Sequence, residues 1–247
     1  MSKLWFASSM RPYPEDDPPY YNPGDFPWTV AYERQWQAVK EELTKLVEEK
    51  DREFQSSSLL YEKLGPTGKW HNLQFFYWKK RMKFYHDLKK CPTLHSLIKQ
   101  TPGIVSAGLS RLEGHSIIPE HRGDTNGTVR AHFGIEIPAG IPDCGFTVNN
   151  EDRSWEEGKW MIFNDACQHK AWNNTGKRRI VLLIDVVRPQ FMHKKNLICT
   201  FILARHVSFF YHRSKFIAKM PVWIKTIMFG IALCFIYVAK PVHNLFR

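Results

Sequence analysis

Hydrophobic positions follow two different periods along the chain, a helical one near the N-terminus and a strand-like one after residue 104. Between residues 27 and 54 apolar side chains recur at helical spacing with Glu and Lys between them, which predicts an amphipathic helix. The proline-rich stretch before it, residues 10–28, predicts an extended arm. A second helix is predicted over residues 91–100, which end just before a Pro-Gly pair.

Short apolar runs separated by Gly, Asn, Asp and Pro occupy the middle of the chain and predict strands. An aromatic run at 70–78 predicts the first of them. The others are predicted at 104–112, 116–119, 127–137, 145–148, 160–164 and 179–187. Such spacing is typical of a sandwich or a small barrel. With 247 residues, 43% of them hydrophobic, the chain can build one domain with a full core. The pattern therefore predicts a mainly β fold with flanking helices.

The longest apolar stretch lies near the C-terminus, at 226–239, between two lysines. It is shorter than the roughly 20 residues that a bilayer-spanning helix needs, but counting from Met220, with Lys225 reaching back to the interface, gives about that length. We therefore expect a C-terminal hydrophobic helical segment that associates with a membrane through 220–239, as a single-pass or an interfacial anchor. A buried C-terminal helix is the alternative.

Charge is distributed unevenly. The net charge is +11, but residues 1–189 carry 26 Lys and Arg against 24 Asp and Glu, and residues 190–247 carry nine basic residues and no acidic one. A nearly neutral body disfavours a nucleic-acid binder, and the basic region at 206–219 favours contact with anionic lipid. The first residues show no secretory signal, and the five cysteines show no paired motif. We expect the body of the protein to face the cytoplasm.

Two histidines and an arginine are the candidate chemical residues. His121 is followed 48 positions later by His169, and Arg179 comes ten residues after that on an apolar run. Two neutral imidazoles on strands can hold a metal, and a nearby arginine can bind a carboxylate. A lone histidine on a strand is more often an ordinary core or surface residue, so the prediction depends on the joint pattern. Cys167 fits a packed thiol better than a ligand, since nothing supplies a set of zinc ligands.

Three motifs together resemble the aspartyl/asparaginyl β-hydroxylase family: SRLEGHSIIPEH at 110–121, RGDTNGTVRAHFGIEIP at 122–138 and SWEEGKWMIFND at 154–165. The family's members are Fe(II)- and 2-oxoglutarate-dependent dioxygenases that use O2 and have a double-stranded β-helix core, a jelly-roll or cupin-like fold. The resemblance covers about residues 70–190. It implies an N-terminal arm and amphipathic helix packing on the core (1–69), a dioxygenase domain (70–190), and a basic, hydrophobic, membrane-associated tail (191–247).

Site residues follow from the resemblance. It implies that His121 and His169 bind iron and that Arg179 pairs with the distal carboxylate of 2-oxoglutarate. Further co-substrate contacts are implied for Ser110, Arg130, His132 and Trp78, with Tyr77 as the alternative to the last. Alternate positions on one strand would turn Arg130 and His132 to the same side. Trp155 is expected only to pack.

Gly123 departs from the usual pattern of such enzymes. The iron-binding carboxylate normally stands two residues after the first histidine, and here that residue is Gly123. The branch of the family that acts on protein domains resembles this chain in having glycine there, whereas the branch that hydroxylates lipid A looks to keep an aspartate. We therefore expect two protein ligands, with water in the third place. Asp124 could reach the metal only through a bulge. Asp165 and Asp185 are expected either to orient the histidines or to serve in turns.

Function is predicted from this set as hydroxylation of an unactivated C–H bond. The first candidate is the β-carbon of Asp or Asn in a protein substrate, favoured by Gly123. The alternative is an acyl chain of a membrane lipid, favoured by the basic tail. A non-catalytic β-helix binding module is a third possibility, which the presence of His121, His169, Arg130 and Arg179 disfavours.

Overall fold

Two antiparallel sheets form the body of the protein in a computed structural model, which describes residues 2–7, 12–14, 16–56, 69–212, 217 and 219–238. The strands are β1 (Tyr20–Tyr21), β2 (Gln55–Ser56), β3 (Trp70–Tyr77), β4 (Lys80–Arg81), β5 (Ile104–Leu112), β6 (Ser116–His121), β7 (Thr128–Glu136), β8 (Cys144–Val148), β9 (Glu151–Arg153), β10 (Trp160–Phe163), β11 (His169–Asn173) and β12 (Arg179–Val187). The helices are α1 (Trp28–Arg34), α2 (Trp36–Glu49), α3 (Pro92–Gln100), α4 (Lys195–His212) and α5 (Val222–Val238). Short 3-10 helices lie at Pro23–Asp25, Asp51–Glu53, Lys83–Lys90 and Pro189–Lys194.

The larger sheet has the strand order β1-β10-β7-β12-β5-β3-β2, with β4 paired to β3, and the smaller sheet has the order β6-β11-β8-β9. Buried side chains from both sheets, among them Phe146 of β8 and Phe163 of β10, form one apolar cluster between them. Two antiparallel sheets that share a core in this way form a jelly-roll-like sandwich. The prediction of a mainly β fold with flanking helices is confirmed.

Alternation along β12 gives the larger sheet one face toward the helices and one face toward the smaller sheet. Ile180, Leu182 and Ile184 belong to the cluster under α1, α2 and α3. Val181 belongs to the cluster between the sheets. Successive side chains of a strand point to opposite faces, so Arg179 shares the inner face with Val181. The apolar run that begins at Arg179 therefore brings one charged side chain into the interior.

The helical elements differ in one respect from the sequence-based expectation. The amphipathic region predicted at 27–54 forms two helices, since Gln35 leaves the helical conformation at φ −102° and ψ 18° between α1 and α2. Helix α2 buries Val39, Leu43 and Val47 against the larger sheet. The domain divisions at 69/70 and 190/191 stay predictions.

Helix α4 packs against the edge of the body. Ile198 and Ile202 are buried with Trp78, Val105 and Val187 in a third apolar cluster. Helix α4, which follows β12, therefore contacts the body through these apolar side chains.

The C-terminal apolar segment forms α5, whose 17 residues are fewer than the spanning segment predicted over 220–239. Within the described residues, no helix has both the length and the apolar character needed to cross a membrane. The predicted transmembrane helix is therefore not supported. Residue 239 and parts of the basic region 206–219 lie outside the described residues, and the cytoplasmic orientation stays a prediction.

Candidate functional site

The smaller sheet brings the two candidate histidines together. His121 ends β6 and His169 begins β11, and the two residues face each other in the antiparallel pairing of these strands. Their ring centroids are 4.2 Å apart. Strand pairing closes the loop of 47 residues between them, so residues distant in sequence present two imidazoles at one place.

Both imidazoles are held in the tautomer that suits a metal. The Nδ1 atom of His121 lies 2.8 Å from the carbonyl oxygen of Pro119, and Nδ1 of His169 lies 2.9 Å from that of Cys167. A carbonyl only accepts, so each Nδ1 carries the hydrogen and each Nε2 carries the lone pair. Burial lowers the pKa of His121 to about 4 and the pKa of His169 well below its ordinary value. Both rings are therefore neutral near pH 7, as metal ligation requires.

Asp165 fills the space beside Gly123. Its Oδ1 lies 3.6 Å from Nε2 of His169, and its backbone carbonyl accepts a hydrogen bond of 2.6 Å from the Gly123 amide. A Cβ atom at position 123 would overlap with Oδ2 of Asp165 and lie 2.5 Å from its Cγ. Glycine is therefore required at 123 because a carboxylate from another part of the chain occupies the place of its side chain.

Arg130 holds that carboxylate in position. Its Nη1 donates to Oδ1 of Asp165 at 2.6 Å, and its Nε donates to Oδ1 of Asp185 at 2.8 Å. Burial raises the pKa of Asp165 to about 6, against the lowering effect of Arg130. The sequence leaves two roles open for Asp165 and Asp185, orienting the histidines or serving in turns. Both carboxylates contact Arg130, and of the two only Asp165 also reaches a histidine. Arg130 faces the same interior as His132, as the alternation of β7 predicts, but two carboxylates engage its guanidinium.

Two neighbours of the histidines do not face the site as ligands. The Asp124 carboxylate accepts a 2.9 Å hydrogen bond from Nη2 of Arg205 on α4. Cys167 is buried in the cluster between the sheets, as expected of a packed thiol. Among the residues that the structure describes, no group of three or more His, Cys, Asp or Glu side chains is arranged to hold a metal ion.

Arg179 is a buried cation that forms no ion pair with the residues that the structure describes. Only 1% of the residue is exposed, and its Nη1 donates to the backbone oxygen of Ser110 at 3.0 Å. Within the described part of the chain Arg179 forms no ion pair, and its Nε is buried without a hydrogen-bond partner. Burial lowers the pKa of Arg179 to about 10, so the group is still charged at neutral pH. An unpaired buried charge is costly, and a bound carboxylate would relieve that cost.

His132 supplies a second unpaired donor close to Arg179. Trp155 Nε1 donates to His132 Nδ1 at 3.2 Å, so the neutral ring of His132 carries its hydrogen on Nε2. That Nε2 is buried, and it has no partner among the described residues. The guanidinium of Arg179 lies over the Trp155 ring, 4.6 Å from its centroid. Trp155, expected only to pack, therefore connects the two donors.

Ser110 lies between Arg179 and the histidines. Its hydroxyl accepts a 3.0 Å hydrogen bond from Trp70 Nε1 and is 3.5 Å from Nη1 of Arg179. The Trp70 ring is 6.1 Å from that of His121. Ser110 is thus close to Arg179, and its contact with the co-substrate stays a prediction. Trp70, for which the sequence predicts no role in the site, contacts both Ser110 and His121.

Trp78 does not line this pocket. It lies in the turn after β3, at φ 46°, and is buried in the third cluster against α4. Its alternative, Tyr77, donates to or accepts from His206 of α4 at 2.8 Å. A register shift between Gln74 and Phe76 interrupts the alternation of β3, so counting by twos from one end of the strand misplaces residues at the other end. The prediction for Trp78 is not supported.

Comparison with known proteins adds to this geometry. A family described as aspartyl/asparaginyl beta-hydroxylase matches residues 33–189. An ornithine lipid ester-linked acyl 2-hydroxylase from Rhizobium tropici is 33% identical over 175 residues, which cover 70% of this chain and 62% of that protein. The human aspartyl/asparaginyl beta-hydroxylase is 26% identical over 180 residues, which cover 70% of this chain and 23% of that protein. The chain thus spans less than two-thirds of the length of either relative.

Among solved structures, the Cupin_2 domain of an XRE family transcriptional regulator from Enterobacter cloacae is similar over 49% of this chain and 98% of that chain, with a TM-score of 0.33 and 10% identity.

Proposed function

The chain belongs to the aspartyl/asparaginyl β-hydroxylase family, and on that premise we propose that it is an Fe(II)- and 2-oxoglutarate-dependent dioxygenase that hydroxylates an unactivated C–H bond. His121 and His169 would hold the iron through Nε2. Bound iron would supply the activation of O2, coupled to oxidation of 2-oxoglutarate to succinate and CO2. The protein's own part is to bind the co-substrate, orient it and keep water from the reacting carbon.

Arg179 is the observation that carries the proposal. A buried, unpaired guanidinium and the unpaired Nε2–H of His132 are connected by the Trp155 indole, and the Phe163 ring is 5.0 Å from that of His132 and 5.3 Å from that of His169. 2-Oxoglutarate is a dianion whose distal carboxylate would accept from Arg179 and from the Ser110 hydroxyl. The Nε2–H of His132 would donate to a further co-substrate oxygen.

Arg130 would act near the co-substrate through the two carboxylates that it holds. Asp165 and Asp185 both pair with its guanidinium, so its proposed part is to keep these carboxylates in place next to the histidines. Asp165 would accept a hydrogen bond from water in the metal's open position, since its carboxylate is close to His169 Nε2. This water would take the place of the carboxylate ligand that Gly123 cannot supply.

Two variants of adjacent arginines test the co-substrate site. Arg179→Ala should weaken 2-oxoglutarate binding by about 2–5 kcal/mol, because one partner of a buried charge pair is removed. Arg178→Ala is the matched control, since Arg178 pairs with Glu136 at 2.8 Å away from this pocket. Isothermal titration with 2-oxoglutarate measures both. Equal affinities of the two variants would contradict the assignment of Arg179.

Iron dependence is tested on the histidines. His121→Ala and His169→Ala should abolish succinate formation and lower Fe(II) binding, whereas His115→Ala, at an exposed turn position, should preserve both. Normal turnover in either site variant would refute the assignment of that histidine to the iron, and no succinate formation by the unmodified protein would favour a non-catalytic module.

Two substrate classes are proposed. A protein Asp or Asn side chain is favoured by Gly123 and by the similarity to the human hydroxylase. A lipid acyl chain is favoured by the higher identity, 33%, to the ornithine lipid hydroxylase, and we prefer it on that observation. Incubating the enzyme with iron, 2-oxoglutarate and either lipid extracts or Asp- and Asn-containing peptides, followed by mass spectrometry, distinguishes them. A gain of one oxygen on peptides alone would contradict the lipid preference.

A further inference from the structure

We propose that α5 is a membrane-surface anchor that inserts Trp223, Ile227, Ile231 and Phe235 into the interfacial layer of an anionic lipid membrane. These four side chains are called the outer face of α5. The inference goes beyond the hydroxylase activity, and a binding measurement without iron or 2-oxoglutarate tests it independently of catalysis.

The outer face is a continuous exposed apolar stripe. Trp223 is 64% exposed, Ile227 53%, Ile231 64% and Phe235 71%. Residues four apart stand above one another on one side of a helix, so the four side chains form a single row. The other exposed large apolar side chains of the described residues are dispersed over different elements, which is ordinary for a protein surface. A contiguous row of this kind marks an interaction surface.

The opposite side of α5 is fixed to the domain. The Phe229 ring lies 5.5 Å from that of Phe201 on α4, and Phe201 in turn stacks on Phe6 at 4.3 Å. Helix α4 is held by Ile198 and Ile202 in the third cluster. Since this side of α5 is packed, the outer face is the side that a partner can cover, and α5 presents it along its length as an interfacial helix does.

Charge selects lipid as the partner. No Asp or Glu follows Asp185, and residues 190–247 carry nine Lys and Arg. A second copy of this chain would bring an equally basic tail against the first, and like charges oppose such pairing. An anionic lipid surface offers the complementary charge together with an apolar layer for Trp, Ile and Phe side chains.

Helix α4 connects the anchor to the segment that follows His121. Arg205 follows Phe201 by one turn of α4, and its guanidinium pairs with Asp124 in the segment that follows His121. Asp124 is adjacent to Gly123, whose amide contacts Asp165. Helix α4 therefore contacts both α5 and the segment that carries one of the histidines.

Vesicle binding of the full-length protein tests the proposal. We expect co-sedimentation with phosphatidylcholine vesicles that contain phosphatidylglycerol, and weaker binding to phosphatidylcholine alone. The double variant Trp223→Ser, Phe235→Ser should lower the partition coefficient by roughly 30-fold or more, since two large apolar side chains no longer leave water. Ile117→Ser is the matched control, because Ile117 is 55% exposed on β6 and its loss should not change binding.

Three outcomes would overturn the anchor. The first is equal binding by the double variant and the unmodified protein. The second is equal binding to vesicles with and without phosphatidylglycerol, which contradicts the charge argument. The third is absence of vesicle binding together with a dimer in gel filtration that the double variant dissociates, which would assign the outer face to a second copy. Circular dichroism of the double variant confirms that it is folded.

Discussion

Gly123→Ala is a small change with a large expected effect, because position 123 has no room for a methyl group. The added Cβ would overlap with the carboxylate of Asp165, 2.5 Å from its Cγ and 3.0 Å from its carbonyl oxygen. The backbone hydrogen bond from the Gly123 amide to that carbonyl prevents the two segments from separating freely. The carboxylate must therefore move, and its 2.6 Å contact with Arg130 is stretched or lost.

The expected cost follows from three terms. Overpacking a buried site costs about 1–3 kcal/mol, and removing one partner of a buried charge pair costs up to about 3–5 kcal/mol. Arg130 keeps Asp185 at 2.8 Å, so only part of the second cost applies. Alanine also restricts the unfolded chain, which favours folding by about 0.4–1 kcal/mol. We expect a net loss of about 2 kcal/mol in the free energy of unfolding.

Urea denaturation of the metal-free protein measures this loss. Gly176→Ala is the matched control, since a Cβ there meets only His115 Nε2, at 3.8 Å. That variant should have the stability of the unmodified protein or slightly more.

A double-mutant cycle isolates the cause. In an Asp165→Ala background the carboxylate is absent, so Gly123→Ala should cost much less than it does in the unmodified protein. The same cost in both backgrounds would refute the collision with Asp165.

Three further predictions concern other charged groups. Arg179→Met should raise the stability of the protein without 2-oxoglutarate by about 1–2 kcal/mol in thermal unfolding, because an unpaired buried cation is removed; destabilisation would count against that view. Asp124→Ala should leave Fe(II) affinity unchanged in a metal titration, and a loss as severe as that of a histidine variant would overturn the two-ligand site. Burial alone would raise the pKa of Asp17, but hydrogen bonds led by Arg188 lower it from 3.8 to about 2. The contribution of Asp17 to stability is therefore complete above pH 3.8 and is lost as the pH falls through 2. In Asp17→Asn the free energy of unfolding, measured at several pH values, should change less with pH across that window.

Local alternation made much of the site predictable. The limits predicted for the strands at 104–112 and 179–187 match β5 and β12, because long apolar runs bounded by turn residues define a strand without further information. The inward orientation of Arg130 and His132 follows from the period of two along β7. The family resemblance added the pairing of two distant histidines, which no local pattern provides.

Contacts between segments that are distant in sequence could not be predicted from local patterns. Gly123 is visible in the sequence as the missing carboxylate, but nothing local indicates that Asp165 fills the same space from the turn before β11. The sequence predicts only a packing role for Trp155, yet its ring connects Arg179 with His132. No local pattern predicts this contact, because it depends on the path of the segment after β9. A single register shift in β3 separates Trp70 from Trp78.

In β7 and β12 the sequence by itself determined which side chains point inward, because alternation is a property of the backbone of a regular strand. It also determined that the tail is basic and apolar, since composition needs no fold. Only the tertiary structure decided which inward side chains meet, where Arg179 lies unpaired, and which side of α5 stays exposed. Those outcomes depend on strand register and on helix packing, and both are set by contacts between residues far apart in the chain.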